Sequence, residues 1–148
     1  HHFGSKEGLF RAVLEEVQTD FAGRVAEAAS ASADPWDQLV RGCRAFLAAS
    51  LEPDVRRIML IDGPAVLGWE AWRAIDADHS MRLLHEGIQQ LHAAGVIRVR
   101  SVQAATHLLS GAMNEAVLWV AQSPDPRRAL DEVSAALEQL LGGLRPGT

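Results

Sequence analysis

Cysteine, tyrosine and long apolar runs are what this sequence has least of. Cys43 is the single cysteine, so the chain can form no internal disulfide, which fits a reducing compartment. No apolar stretch approaches the roughly 20 residues that a membrane-spanning helix needs, and no signal peptide is visible. We therefore expect a cytoplasmic protein with no membrane partner.

Positive charge is also scarce. The chain of 148 residues has 14 Lys and Arg residues against 19 Asp and Glu residues, which gives a net charge of −5. Proteins that bind nucleic acid take much of their affinity from basic residues that neutralise phosphates. Since no basic stripe is visible, we expect that these residues on their own do not hold DNA.

Aromatic residues are few, with four Phe, four Trp and no Tyr, whereas Ala and Leu are abundant. That balance favours helix over sheet, and no stretch shows the period-2 alternation of a half-buried strand. The sequence therefore predicts an all-α domain of about six helices. Cap and proline signals mark expected helix starts at Ser5, Asp34-Pro35, Pro53, Ser101 and Asp125-Pro126, and a further helix is expected to start at Trp69.

Two boundaries in the middle of the chain are predicted less directly. Gly63-Pro64 is expected to end the short helix that Pro53 opens, and a further short piece reaches Gly68. One long helix is then expected from Trp69 to about Ala94, with Gly95 in the usual position after a helix end.

No catalytic motif is recognisable: there is no nucleophile elbow, phosphate-binding glycine loop or Cys-x-x-Cys. We expect no enzyme activity, no cofactor and no metal. His85 and His92 share a helix face, so a ligand or metal role stands as the alternative to structural histidines. Asp76 and Asp78 are expected on a solvated face, and Cys43 is expected to act as a small hydrophobic residue.

The last two predicted helices carry more apolar surface than one stripe. A helix that is apolar nearly all round must be buried on two sides, and a second copy of the chain is the natural cover. Two helices from each copy would form a four-helix bundle with a two-fold interface. The alternative is that both helices lie in the core of a monomer. The residues predicted for the dimer interface are Leu108, Gly111, Ala112, Met113, Val117, Val133, Leu137 and Leu140.

The stretch from Ile58 to Trp72 is apolar and aromatic and is interrupted by Gly63, Pro64 and Gly68. Helix breaks expose backbone donors and acceptors beside large apolar side chains, which suits a small-molecule site. Trp69 and Trp72 are three residues apart and share a face. The alternative is that they are two core tryptophans beside a connector.

The opening run His1-His2-Phe3-Gly4-Ser5-Lys6-Glu7-Gly8-Leu9 reads as a helix end, a glycine break and a helix start. It resembles the end of the helix-turn-helix domain in the tetracycline-repressor (TetR) family of bacterial regulators. An alternative for His1-His2 is the remnant of a purification tag. Chains seldom begin in the last turn of a helix, so we expect the DNA-reading helices to precede His1.

The Gly-Pro-Ala-Val-Leu-Gly-Trp-Glu-Ala-Trp stretch, the Leu-His-Ala-Ala-Gly-Val-Ile helix end and the final Leu-Glu-Gln-Leu-Leu are similar to one branch of this family. The resemblance implies that residues 1–4 are the tail of the DNA-binding domain and residues 5–148 a ligand-binding and dimerisation domain. It implies contacts of His2 and Lys6 with the DNA backbone, with Ser5 as a helix cap. It also implies a pocket for a small, apolar or aromatic effector. The candidate walls of that pocket are Phe21, Phe46, Met59, Trp69, Trp72, Met81 and His85.

The resemblance implies a homodimeric regulator that binds operator DNA through residues before His1. An effector that prefers the wrong spacing of the two reading heads would release the DNA. We expect the regulator to be a repressor, and an activator is the alternative. Two rival interpretations are an all-helical small-molecule-binding or scaffold homodimer with no DNA role, and an enzyme on a helical scaffold.

Overall fold

The computed structural model describes residues 5–147, and every regular element in that range is a helix. This confirms the all-α prediction. The elements are α1 (Lys6–Ser30), α2 (Pro35–Ser50), α3 (Pro53–Arg56), a π-helical segment (Arg57–Asp62), α4 (Gly63–Leu67), α5 (Trp69–Asp78), α6 (Ser80–Ala93), α7 (Val102–Ala121) and α8 (Pro126–Gly142).

Four of the helices begin where the sequence predicts, each with a side-chain cap. The cap oxygens of Ser5, Asp34, Ser101 and Asp125 accept hydrogen bonds from backbone N–H groups three residues later, at 3.0 to 3.2 Å. Such a cap contributes about 1 kcal/mol, because it satisfies one of the free donors of the first turn. These short-range signals fix the starts of α1, α2, α7 and α8.

The end of α6 also follows the prediction. Gly95 has a φ of +74°, a left-handed conformation that glycine adopts without steric strain. The N–H of Val96 then donates to the Leu91 carbonyl oxygen at 3.0 Å, which closes the last turn. Ile97 packs back into the core and is 2% exposed.

The predicted long helix from Trp69 to Ala94 is wrong. The chain breaks at His79, with φ −121° and ψ −97°, and α6 starts afresh at Ser80. His79 Nδ1 donates to the Ile75 carbonyl oxygen at 2.7 Å, and Ser80 Oγ donates to Gln18 Oε1 at 3.1 Å. The break thus depends on a contact with α1, far away in the sequence, and neither Gly nor Pro marks it locally.

Gly63-Pro64 does not end a helix, contrary to the prediction. Pro64 cannot donate a backbone hydrogen bond, and the preceding segment widens so that the Gly63 N–H reaches the Ile58 carbonyl oxygen, five residues back. A Cβ atom at Gly63 would lie 2.7 Å from that oxygen and 2.9 Å from the Trp72 ring. Only glycine fits here, because the Ile58 carbonyl oxygen and the Trp72 ring approach its backbone so closely. The Trp72 ring is held in place by a hydrogen bond from its Nε1 to the Met59 carbonyl oxygen, at 2.5 Å.

The core is built around α1 and α2, which lie along each other. α1 also contacts α4, α5 and α6, while α2 reaches α6, α7 and α8. Leu14 and Phe21 of α1 are fully buried, and Phe21 meets Phe46 of α2 edge to face, with ring centroids 5.2 Å apart. The inner face of α1 is thus part of the core, so a shift of α1 must disturb the helices packed on it.

Candidate functional site

A cavity of about 290 Å³ lies between α1, α2, α6 and α7. That volume is close to the lower end of the range for small-molecule pockets, about 300–1,000 Å³. Small and apolar side chains form most of its wall, and the polar ones include Ser80, Glu86 and Gln90 on α6 and Ser110 on α7. The principal lining residues are Val25, Ala26, Ala29, Leu39, Gly42, Cys43, Phe46, Ser80, Met81, Leu84, Glu86, Gly87, Gln90, Ser110 and Met113.

Two glycines inside helices open this space. A Cβ atom at Gly42 would lie 3.6 Å from the Ala29 Cβ, and one at Gly87 would lie 3.6 Å from Leu39 Cδ1. Both distances are ordinary van der Waals contacts, so the surrounding packing does not require glycine. Glycine inside a helix costs about 1 kcal/mol relative to alanine. What the two glycines provide is the volume of the cavity.

The cavity wall is nearly free of charge. In residues 5–147, no Lys, Arg or His lines the cavity, and Glu86 is the one charged side chain that does. Its carboxylate is exposed and lies 3.9 Å from Arg82 Nε. Ser110 is 6% exposed, and its hydroxyl makes no hydrogen bond within the described part of the chain. The wall therefore offers a largely apolar surface on which, of the serines that line it, Ser110 alone has no hydrogen bond within residues 5–147.

Cys43 faces the cavity with an uncharged thiol. The side chain is 4% exposed, and burial raises the pKa of the thiol to about 12. The thiolate is the reactive form of cysteine, so at neutral pH this group is a weak nucleophile. The expectation that Cys43 acts as a small hydrophobic residue agrees with this environment.

Of the seven residues predicted as pocket walls, Phe46 and Met81 line the cavity. Phe21 packs against Phe46, while Met59, in the π-helical segment, and Trp72, on α5, belong to the core. The remaining two lie away from the cavity wall: Trp69 is 63% exposed and His85 is half-buried.

The sequence predicted a pocket beside the aromatic stretch from Ile58 to Trp72. The cavity instead lies beside α1 and α2, and no residue of that stretch lines it. Sequence reasoning passed over Ala29, Gly42, Gly87 and Ser110 as wall residues. A usable signal was present, since Gly42 and Gly87 are glycines in the interior of amphipathic helices, where a helix gains nothing from them.

A buried polar cluster adjoins the cavity at Ser80. Asp76 is 3% exposed, so the expected solvated position is wrong. Burial raises the pKa of its carboxyl group, opposed by the positive charge of Arg73, whose Nη1 lies 3.3 Å away, by the Gln18 amide and by His79. Gln18 of α1 is fully buried and accepts the Ser80 hydroxyl, while its Nε2 has no hydrogen-bond partner within residues 5–147.

A second apolar surface lies on the outside of α7 and α8. Leu108 is 75% exposed, Leu140 63% and Trp119 51%. Gly111 and Ala112 are exposed beside them, and Val133 is half-buried. Three other residues predicted for the dimer interface are already buried by the chain itself: Met113, Val117 and Leu137.

The predicted DNA-backbone residues lie at the start of the chain. His2 falls outside the described residues. Lys6 is exposed in the first turn of α1, directly after the Ser5 cap. Across residues 5–147, no group of three or more His, Cys, Asp or Glu side chains is placed to hold a metal ion. None of the helices described is both long and apolar enough to cross a bilayer.

The family profile described as "Tetracyclin repressor-like, C-terminal domain" matches residues 36–144. The chain belongs to the TetR family. A crystal structure of a TetR-family transcriptional regulator from Pectobacterium atrosepticum is 35% identical in sequence, with a TM-score of 0.78. The match covers 99% of this chain and 75% of that one. No curated protein sequence gave a match.

Membership in the TetR family confirms the resemblance carried by the opening motif and the helix pattern. It makes the chain part of a transcriptional regulator and points to a regulatory protein rather than an enzyme. The matched range 36–144 contains the α6 and α7 walls of the cavity, all of α8, and α2 except its first residue. The α1 wall is included in the structural match.

Proposed function

We propose that this TetR-family chain is the regulatory body of a homodimeric transcriptional repressor, which a small apolar or aromatic effector releases from operator DNA in the cytoplasm. One observation carries the proposal most strongly. The C-terminal half of α1 forms a wall of the cavity through Val25 and Ala29, and its N-terminal turn carries Ser5 and Lys6 of the opening motif.

The path from the cavity to the DNA end is a single helix. α1 has 25 residues, which corresponds to a length of about 37 Å. A ligand that displaces the wall at Val25 and Ala29 would tilt the whole of α1, because a helix moves as a rigid rod. Buried Phe21 and Leu14 would be the contacts about which it tilts. Helix-turn-helix dimers need their reading heads about 34–36 Å apart or at multiples of that spacing. A coupling of about 1–3 kcal/mol would change DNA affinity roughly 5–150-fold.

The outer face of α7 and α8 supports the homodimer. Leu108 and Trp119 are 11 residues apart, which is close to three full helical turns, so they lie on the same side of α7. With Leu140 of α8 they form an apolar surface that nothing within residues 5–147 covers. A two-fold axis through this surface would place α7 and α8 of both copies in a four-helix bundle.

DNA binding is proposed to reside mainly in residues before His1. His2 and exposed Lys6 would contact the phosphate backbone, which positions a protein without reading the bases. Residues 1–4 would then be the end of that DNA-binding domain. The net charge of −5 supports this division, because acidic residues outnumber basic ones in the 148-residue chain and phosphates are bound mainly by basic residues.

The test is fluorescence anisotropy on DNA from upstream of the gene, at several salt concentrations. The gene's full-length product and the 148-residue chain are compared. We expect tight binding by the full-length product alone, with affinity that falls as salt rises. If neither protein binds this DNA, selection from a random DNA pool follows. Failure there as well would contradict the regulator and favour the helical binding or scaffold homodimer.

A further inference from the structure

We propose that the effector is an uncharged, mainly apolar molecule with one oxygen function, which the Ser110 hydroxyl binds, and that the cavity discriminates against organic acids. This inference rests on the proposed function, since it names the ligand class of the same cavity. Two observations support it: the charge of the wall and the state of its buried hydroxyl groups.

The wall gives an anion no positively charged partner. No Lys, Arg or His lines the cavity within residues 5–147, and Glu86 at its edge is negative. A buried carboxylate without a partner is strongly unfavourable, and Glu86 adds repulsion of like charge. An ammonium group gains little, since the Glu86 side chain is 64% exposed and already faces Arg82. Neither sign of charge is stabilised inside the cavity.

The first turn of α6 reaches the cavity at Ser80 and Met81, and helix N-termini usually attract anions. Here α5 ends at Asp78, immediately before that turn. The carbonyl end of α5, together with exposed Asp78, places negative charge against the start of α6. These opposing charges leave little net attraction for an anionic ligand.

Ser110 supplies the polar contact. Thr106, one turn earlier on α7, already donates its hydroxyl to the Val102 carbonyl oxygen at 2.8 Å. The Ser80 hydroxyl is likewise used, since it donates to Gln18. Ser110 is buried, lines the cavity and has no such partner in the described part of the chain. A hydroxyl can donate or accept, so alcohols, ketones and esters all fit.

Binding is expected to be non-covalent. Cys43 is the one thiol on the wall, and burial raises its pKa to about 12. A protonated thiol reacts slowly with electrophiles. The chemistry of the wall therefore favours reversible burial of an apolar body with a single hydrogen bond.

The experiment displaces a neutral fluorescent probe, N-phenyl-1-naphthylamine, from the purified chain at neutral pH. The competitors are 1-octanol, octanoate and octylammonium, which share a chain length and differ in the head group. We expect 1-octanol to bind at least about tenfold more tightly than either ion, because each ion would lose its hydration without gaining a partner of opposite charge. Octanoate or octylammonium binding as tightly as 1-octanol would overturn the proposal.

Ser110→Ala tests the hydrogen bond. The variant should bind 1-octanol roughly two- to tenfold more weakly, as expected for one lost hydrogen bond, and should bind 1-chlorooctane unchanged. Ser134→Ala is the matched control, since Ser134 is a helical serine outside the cavity wall. If Ser110→Ala weakens both ligands equally, or neither of them, Ser110 is not the polar contact and the proposal fails.

Gly87→Leu separates this proposal from the proposed function. The new side chain would enter the cavity beside Leu39, so probe binding should disappear. If the wild-type chain does not bind the probe, or if Gly87→Leu binds it normally, the cavity is not a ligand site. The ligand response then fails together with this inference, while DNA binding by the full-length product stands or falls in its own assay.

Discussion

The cavity between α1, α2, α6 and α7 and the outer face of α7 and α8 are both apolar, yet they differ in the residues that make them. Gly42, Gly87 and Ala29 line the cavity, and a buried serine adds one polar group. The outer face presents large side chains, with Leu108 75% and Leu140 63% exposed. Small inward residues create volume for a molecule, whereas large outward residues create area for another helix. Apolar character alone does not separate these uses, but side-chain size does.

Leu140→Arg should have the largest effect and acts on the outer face alone. A charge buried without a partner costs about 3–5 kcal/mol, so the dissociation constant of the proposed dimer should rise by more than about 100-fold. Light scattering coupled to gel filtration should then give the mass of a single 16.0 kDa chain instead of twice that mass. Leu9→Arg is the control, since Leu9 is 49% exposed on α1. Equal masses for Leu140→Arg and the wild type would remove this face from the interface.

Ser80→Ala acts on the polar contact beside the cavity. It deprives the Gln18 carbonyl oxygen of its donor and should lower the free energy of unfolding by about 1–3 kcal/mol. Urea denaturation measures the change. Adding Gln18→Leu should recover most of the loss, because it removes the buried amide that lost its donor. If the double variant is less stable than Ser80→Ala alone, the buried amide is held by something other than this contact.

Gly87→Ala should make the protein more stable and a poorer binder. The helix gains about 1 kcal/mol, and the added methyl group reduces the cavity beside Leu39. Gly23→Ala is the matched control, since Gly23 lies within α1 and a Cβ there meets nothing within 4 Å. Both variants should raise the melting temperature, and Gly87→Ala alone should weaken probe binding. Weaker binding in both would show that helix rigidity, not volume, controls the cavity.

Asp76 should give the smallest effect, visible as a pH dependence. Burial raises its pKa in the folded state above the ordinary 3.8. Between these two pKa values the folded state holds a proton that the unfolded state has lost, so stability falls as pH rises. Arg73, His79 and Gln18 face the carboxyl group and limit the shift. The stability of wild type minus that of Asp76→Asn should therefore be highest at or below pH 3.8 and decrease above it. A difference that increases with pH would contradict this assignment.

The parts of the fold that the sequence predicted depend on neighbours within a few residues. Ser5, Asp34, Ser101 and Asp125 cap helices through backbone groups three positions away. Gly95 ends α6 through its own backbone conformation. Such signals can be read without knowing where the rest of the chain lies.

The parts that were predicted wrongly depend on distant contacts. The break at His79 is joined to a hydrogen bond between Ser80 and Gln18, which are 62 positions apart. Asp76 is buried because α1 covers it, and its sequence neighbours Asp78 and His79 suggest a solvated face instead. The cavity has the same origin, since Gly42 and Gly87 come together only once α2 packs on α6. Local patterns cannot report such encounters.

The tryptophans of this chain provide optical probes of both regions. With no Tyr in the sequence, ultraviolet emission comes almost entirely from four Trp residues. Trp119 lies on the exposed side of α7, so its emission should shift to shorter wavelength when a second copy covers that face. Trp36 directly follows Pro35, which lines the cavity, and the guanidinium carbon of Arg145 lies 4.5 Å from the centroid of the Trp36 ring. Single-tryptophan variants would therefore record assembly and ligand entry as separate spectral signals, without any added label.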